Sequence, residues 1–115
     1  MFEFAYNEVV EESPQVMRAR ERDAMDRVID MLRAAQAHGP RSREAIEALY
    51  YLRRLWAIFL DDLRNPDNEL PERLRAGIIS IGIWMNKEID RVRVGQTSDL
   101  TPMIEINEII RDGLK

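Results

Sequence analysis

Residues 55–84, LWAIFLDDLRNPDNELPERLRAGIISIGIW, decide the fold. They read as the end of one amphipathic helix, an Asn65-Pro66-Asp67-Asn68 turn, and a second helix that opens at Pro71. Upstream of the turn, Leu49, Leu52, Trp56, Phe59 and Leu63 step by three and four, the spacing of a core-facing stripe. Downstream, Leu74, Ile78, Ile81, Met85, Ile89 and Val92 form a second stripe that Val94-Gly95 closes. Ala76, Ile79 and Ile83 fall on the opposite side of that helix, with Trp84 at the edge of the main stripe. A helix with two apolar faces either sits in the middle of a bundle or keeps its second face for a partner.

Working outward, Ser13-Pro14 has the form of a helix start and Gly39-Pro40 that of a stop. Between them Met17, Ala24, Val28, Met31 and Ala35 share a face, flanked by Met25, Ile29 and Leu32. Ser42 can cap the next helix. After Gly95, Asp99 can cap a short last helix with Thr101-Pro102 in its first turn and Gly113 at its end. There Met103, Ile106, Ile110 and Leu114 point one way, and Leu100 and Ile104 widen the stripe. No run alternates as a strand does. The expected fold is therefore all-α, a compact bundle of about four helices joined by short connections. Residues 13–115 form the bundle and residues 1–12 a separate N-terminal arm. In the arm, Phe2, Phe4, Tyr6 and Val9 can pack on the bundle or on another chain; the plain alternative is a loose terminus.

The composition suits one folded domain of 115 residues, 45% hydrophobic and 33% charged. A net charge of −4 gives no general pull toward nucleic acid or an anionic membrane. With no cysteine, disulfides, thiol catalysis and thiolate metal sites are excluded. The opening MFEFAYNEVVEE is acidic and lacks the form of a secretory signal. No window reaches the roughly 18 apolar residues of a membrane span. A cytoplasmic location is the expectation, by elimination.

Chemistry finds little to work with. His38 is the sole histidine and stands beside the Gly39 stop, where the helix dipole favours a cation. The carboxylates alternate with arginines, as in RARERDAMDR, the pattern of a solvated helix face. Asp61 and Asp62 are sequence neighbours, so a helix points them about 100° apart. No phosphate loop, nucleophile elbow or metal-binding helix motif occurs. No enzyme activity, metal or cofactor is expected. Arg53, Arg54, Arg64, Arg73 and Arg75 surround the central turn, and Tyr50 and Tyr51 could stack on bases. Asp61, Asp62, Asp67, Glu69 and Glu72 share the region and offset the field, so direct RNA binding is the alternative and not the leading reading. The expected core is Leu49, Leu52, Trp56, Phe59, Leu74, Ile78, Ile81 and Met85. The candidate partner surface is Ile79, Ile83, Trp84 and Tyr51. An apolar face can also satisfy itself in a homodimer.

The segments LWAIFLDDL (55–63), NPDNELPERLRAGIISIGIW (65–84) and IEINEIIRDGL (104–114) resemble the bacterial flagellar biosynthesis regulatory protein FlaF family. Tyr6 ahead of the Ser-Pro start fits as well, and length and order agree from end to end. The resemblance implies a small helical cytoplasmic protein needed for flagellin production and filament assembly, acting after transcription. It implies flagellin as a partner, opposition to a FlbT-type regulator, and no catalytic residues. It assigns no binding residue.

Overall fold

Among the described residues, local capping chemistry gives four helices: α1 (Pro14–His38), α2 (Arg43–Arg64), α3 (Glu72–Arg93) and α4 (Thr101–Asp112). The computed structural model describes residues 14–113, with side chains from Arg20 onward. The expected arm, the Ser13 cap, the Met17 side chain and Leu114 lie outside the described residues. Among the described residues there is no strand, and the architecture is all-α.

Each junction has its own physical stop. Gly39 takes a φ of 103° while its N–H donates to the Ala35 carbonyl at 2.8 Å. Only glycine adopts that backbone without strain. Ser42 then caps α2, its hydroxyl oxygen accepting from the Ala45 N–H at 3.1 Å. Between α2 and α3, the Asn65 and Asn68 side chains accept from the N–H groups of Asp67 and Leu70, at 2.9 and 3.0 Å. Gly95, at a φ of 81°, ends α3. Its N–H reaches the Val92 carbonyl at 3.1 Å and the Gln96 N–H reaches Arg91 at 2.8 Å, the paired bonds of a Schellman motif. Ahead of α4, an Asp99 carboxylate oxygen accepts from the Thr101 N–H at 2.9 Å. That backbone bond, with one from the Thr101 hydroxyl, holds the Asp99 carboxyl below its ordinary 3.8.

The helices pack in an antiparallel sequence, α1 against α2 and α4, and α2 against α3. Polar bonds register the pairs. Arg53 on α2 meets Asp90 on α3 at 2.5 Å. Gln36 on α1 accepts from the Leu100 N–H at the start of α4 at 2.8 Å, and Arg111 near its end meets Asp26 at 3.1 Å. These carboxylates, Asp26 first and then Asp112, push the Arg111 pKa further up. Between the helices Met25, Val28, Ile29 and Leu32 of α1 meet Leu52 and Trp56 of α2, Met85 and Ile89 of α3, and Leu100 and Met103 of α4, all without exposure or nearly so. Each such side chain contributes about 1.5–3 kcal/mol of burial. Trp56 also meets Phe59 edge-on, with ring centroids 5.5 Å apart.

Three expected stripes turn on their axes. In α1 the fully buried line runs through Met25, Val28, Ile29, Leu32 and Ala35, leaving Ala24 and Met31 half-buried. In α4 it runs through Leu100, Met103, Ile104 and Asn107, leaving Ile106 and Ile110 half-buried. In α3 the core stripe stops short: Met85, Ile89 and Val92 are buried, Ile78 and Ile81 half-buried, and Leu74 is 50% exposed. The expectation that Leu74 belongs to the core is therefore corrected. The first turns of α3 run past the end of the much shorter α4, so among the described residues no helix covers that side of Leu74.

Asn107 is fully buried, yet its polar atoms are partnered. The Trp56 indole N–H donates to its Oδ1 at 3.0 Å. Its Nδ2 donates to the Met103 carbonyl at 2.6 Å and points at the Met85 sulfur at 3.7 Å. One amide thus touches α2, α3 and its own helix.

Asn107→Ala leaves the buried indole N–H without an acceptor and opens a cavity. It should destabilise the bundle by about 2–4 kcal/mol, readable by urea denaturation. The two mid-helix glycines of α3 should respond with opposite signs. A Cβ at Gly77 meets nothing within 4 Å, whereas one at Gly82 comes within 2.6 Å of a Leu60 methyl. Gly77→Ala should stabilise by roughly 0.5–1 kcal/mol through helix propensity, and Gly82→Val should destabilise by about 1–3 kcal/mol through overpacking. Asp99 supplies a pH signature. Because its folded pKa lies below 3.8, its stabilisation is present above that pH and is lost as pH falls through the folded value. The gap in melting temperature between the parent and Asp99→Ala should be constant near neutrality and close in strong acid.

Candidate functional site

Length mismatch between α3 and α4 creates the principal concave surface. Helix α3 spans 22 residues and α4 only 12. Where α4 ends, a groove of about 1020 Å³ remains, lined by Leu70, Pro71, Arg73, Leu74, Gly77, Ile78, Ile81, Ile109, Ile110 and Gly113. Its walls are apolar, and Arg73 is the one charged residue among the described residues that line it. The apolar seam continues along α3 and α4 into a shallow cleft of about 250 Å³ formed by Ser80, Ile81, Trp84 and Ile106. Gly77 contributes width: without a side chain, it lets the groove reach the α3 backbone.

The four nominated partner residues do not share this surface. Trp84 is half-buried and forms part of the seam. Ile83 is 46% exposed, but two residues from Ile81 it points about 200° away, on the far face of α3. Ile79 is half-buried and shares a side with Gly82, three residues on, which packs on Leu60 of α2. That side of α3 is the one turned toward Leu60 of α2. Tyr51 lies elsewhere, half-buried, with the Arg27 guanidinium of α1 5.7 Å from its ring centre. The groove instead brings together Leu70, Leu74, Ile109 and Ile110. Sequence reading assigned Leu74 and Ile110 to packed stripes and passed over Leu70 and Ile109. The available signal was the unequal length of the two last helices.

At the other end of the bundle a smaller pocket of about 380 Å³ lies among Pro40, Arg41, Ile46, Leu49, Tyr50, Arg53, Ile89 and Arg93. Three of the arginines around the central turn have separate surroundings. Arg53 is engaged by Asp90, Arg54 donates to the Tyr50 hydroxyl at 3.2 Å, and Arg73 lines the groove.

No group of His, Cys, Asp or Glu among the described residues could hold a metal ion. His38 is exposed, its Nδ1–H donating to the Ala34 carbonyl at 2.8 Å, and its other nitrogen is 3.8 Å from Glu44. Asp61 and Asp62 are both exposed, and Asp62 accepts from Asn68 at the turn. Glu88 is buried, with Arg91 donating to it at 2.6 Å one turn on. The site offers shape and apolar area, not reactive groups. Among the described residues no helix is long and apolar enough to cross a membrane.

Comparison with curated proteins and with solved structures gives no match. The family model described as flagellar protein FlaF matches residues 2–114. That match covers almost the whole chain, including both helices that form the groove, and the protein belongs to the FlaF family of flagellar proteins.

Proposed function

We propose that this protein is a non-enzymatic, cytoplasmic regulator of flagellin synthesis and secretion, and that it acts by holding an apolar helix of unassembled flagellin in the α3–α4 seam. The observation that carries this reading is the apolar groove at the end of α4, with Leu74 half exposed in its wall. A soluble helix does not gain by placing leucine and isoleucine along an open cleft unless something covers them. Flagellin subunits bury helical ends against one another in the filament, so unassembled subunits expose apolar helical surface. An amphipathic helix lays such a face into a groove through anchors three and four residues apart. Leu74, Ile78, Ile81 and Trp84 follow the matching spacing on the receiving side. Covering flagellin in this way would keep it export-competent and tie its supply to translation, against the restraint of a FlbT-type regulator. The alternative, an RNA-directed regulator of flagellin message, needs a gathered basic face. The engagement of Arg53 by Asp90 and of Arg54 by Tyr50 speaks for the protein-binding reading.

Light scattering after size exclusion, with monomeric flagellin added, should give a stoichiometric complex. Two aspartate substitutions then locate the surface by titration calorimetry. Leu74 is in the first turn of α3, where an aspartate suits the helix dipole, so Leu74→Asp should fold normally. It should weaken flagellin binding about tenfold or more, the loss of one buried anchor. Ile83→Asp, on the far face, should change affinity by no more than about twofold, as is usual away from a contact surface. A reversed pattern would move the contact to the far face of α3, and unchanged affinity in both would remove α3 as the binding helix.

A further inference from the structure

We infer that the pocket beside the α1–α2 turn is a second protein-binding site, and that it takes an acidic peptide segment carrying a large apolar residue. The turn between α1 and α2, the first half of α2 and the last turns of α3 converge on it. The Arg41 side chain lies across the end of α3, since a Cβ placed on Gly95 would come within 2.9 Å of its Nη2. The groove of Leu70 and Leu74 lies toward the opposite end of α3. The pocket is thus separate from the groove and independent of what the groove holds.

Apolar surface and positive charge meet in this pocket. Its volume of about 380 Å³ is within the roughly 300–1,000 Å³ range of cavities that hold small ligands. Leu49 and Ile89 line it from the packed core, where both are buried. Ile46 and Tyr50, four residues apart on α2, are 66% and 64% exposed. The Arg54 guanidinium donates to the Tyr50 hydroxyl and stands 5.7 Å from the ring centre, which restrains that ring.

Arg41, Arg53 and Arg93 also line the pocket, and no acid among the described residues does. In a chain of net charge −4 this gathering is local and does not follow from composition. The dipole at the end of α3 favours a cation at Arg93, but Arg41 and Arg53 come from a turn and from α2. Arg53 meets Asp90 through one terminal nitrogen, and a guanidinium carries five N–H donors. Arg41 and Arg93 have no acid partner among the described residues. Carboxylates are the fitting counter-charge, because a guanidinium takes them in two-pronged bonds. The exposed Ile46 and Tyr50 offer a neighbouring place for a leucine or phenylalanine. A nucleic-acid strand fits less well: Tyr50 is already engaged by Arg54, and the net negative charge opposes a long polyanion.

The probe is a capped synthetic peptide, Glu-Glu-Leu-Phe-Glu-Glu, titrated into the isotope-labelled full-length protein. Saturable shifts are expected at the methyl resonances of Ile46, Leu49 and Ile89, and none at Ile78 and Ile109 of the groove. Arg93→Gln and Ile46→Gln alter exposed side chains and should leave the melting temperature nearly unchanged. Arg93→Gln should raise the Kd about tenfold, the loss of one charge-assisted contact. Ile46→Gln should raise it about threefold or more through lost apolar contact. A peptide with glutamine at each glutamate should bind about tenfold more weakly or worse. No saturable shift at the pocket methyls, or equal binding of the glutamine peptide, would overturn the inference. Stronger shifts of the same methyls with hexauridylate would overturn it as well, by assigning the pocket to a nucleic-acid strand.

Discussion

The indole N–H of Trp56 must find an acceptor inside an apolar core, and the Asn107 side chain supplies it at 3.0 Å. Neither group is tolerable there alone, since an unpaired buried donor or acceptor costs about 1–3 kcal/mol. Together they set the rotation of α4 about its axis. Turning α4 to present its expected stripe of Met103, Ile106 and Ile110 would carry Asn107 away from the indole and the Met85 sulfur. Apolar contacts alone would allow several such rotations, because Ile106, Ile109 and Ile110 are as greasy as the residues that are buried. A polar bond inside the core discriminates among them, which is the role buried amides play in setting helix register elsewhere.

Helix ends were the most legible part of this fold, because their causes are local. Ser42, Gly39, Gly95 and the two asparagines of the central turn act through bonds to neighbours within a few residues. The stripe of α2 was legible too, since Leu49, Leu52 and Trp56 face neighbours along its length. Asn107 was not, because its residue type signals exposure and its partner lies on a different helix. Its one trace in the sequence is position: it continues the line Leu100, Met103, Ile104 at three- and four-residue steps. Leu74 misled for a related reason. Periodicity reports which side of a helix faces inward, but not whether a neighbouring helix extends far enough to make that side a core.

The candidate surface was legible only in outline. That α3 carries more apolar side chain than its packing uses could be read directly from its two faces. Which of them stays open depends on where α4 ends, a relation in space that the periodicity of α3 does not carry. Trp84 reaches the seam and Ile83 does not, although they are adjacent, because one residue of α-helix is a turn of about 100°. Tyr51 shows the limit from the other direction: its ring lies beside the Arg27 guanidinium of α1, on a different part of the bundle.

The shortness of α4 connects these observations. A fourth helix as long as α3 would cover Leu74 and Ile78 and complete the core, adding about 1.5–3 kcal/mol for each large side chain it buried. The chain forgoes that stability at one end while the Trp56–Asn107 bond secures the middle. The closed part therefore holds the bundle together, while the open end leaves Leu74 half exposed. A binding surface needs this division, because a groove sealed by permanent packing accepts nothing and a groove in a loose bundle has no fixed shape. The seam along α3 meets both conditions: it stands on a helix whose Met85 and Ile89 are buried in the core, and its wall at Leu74 remains half exposed.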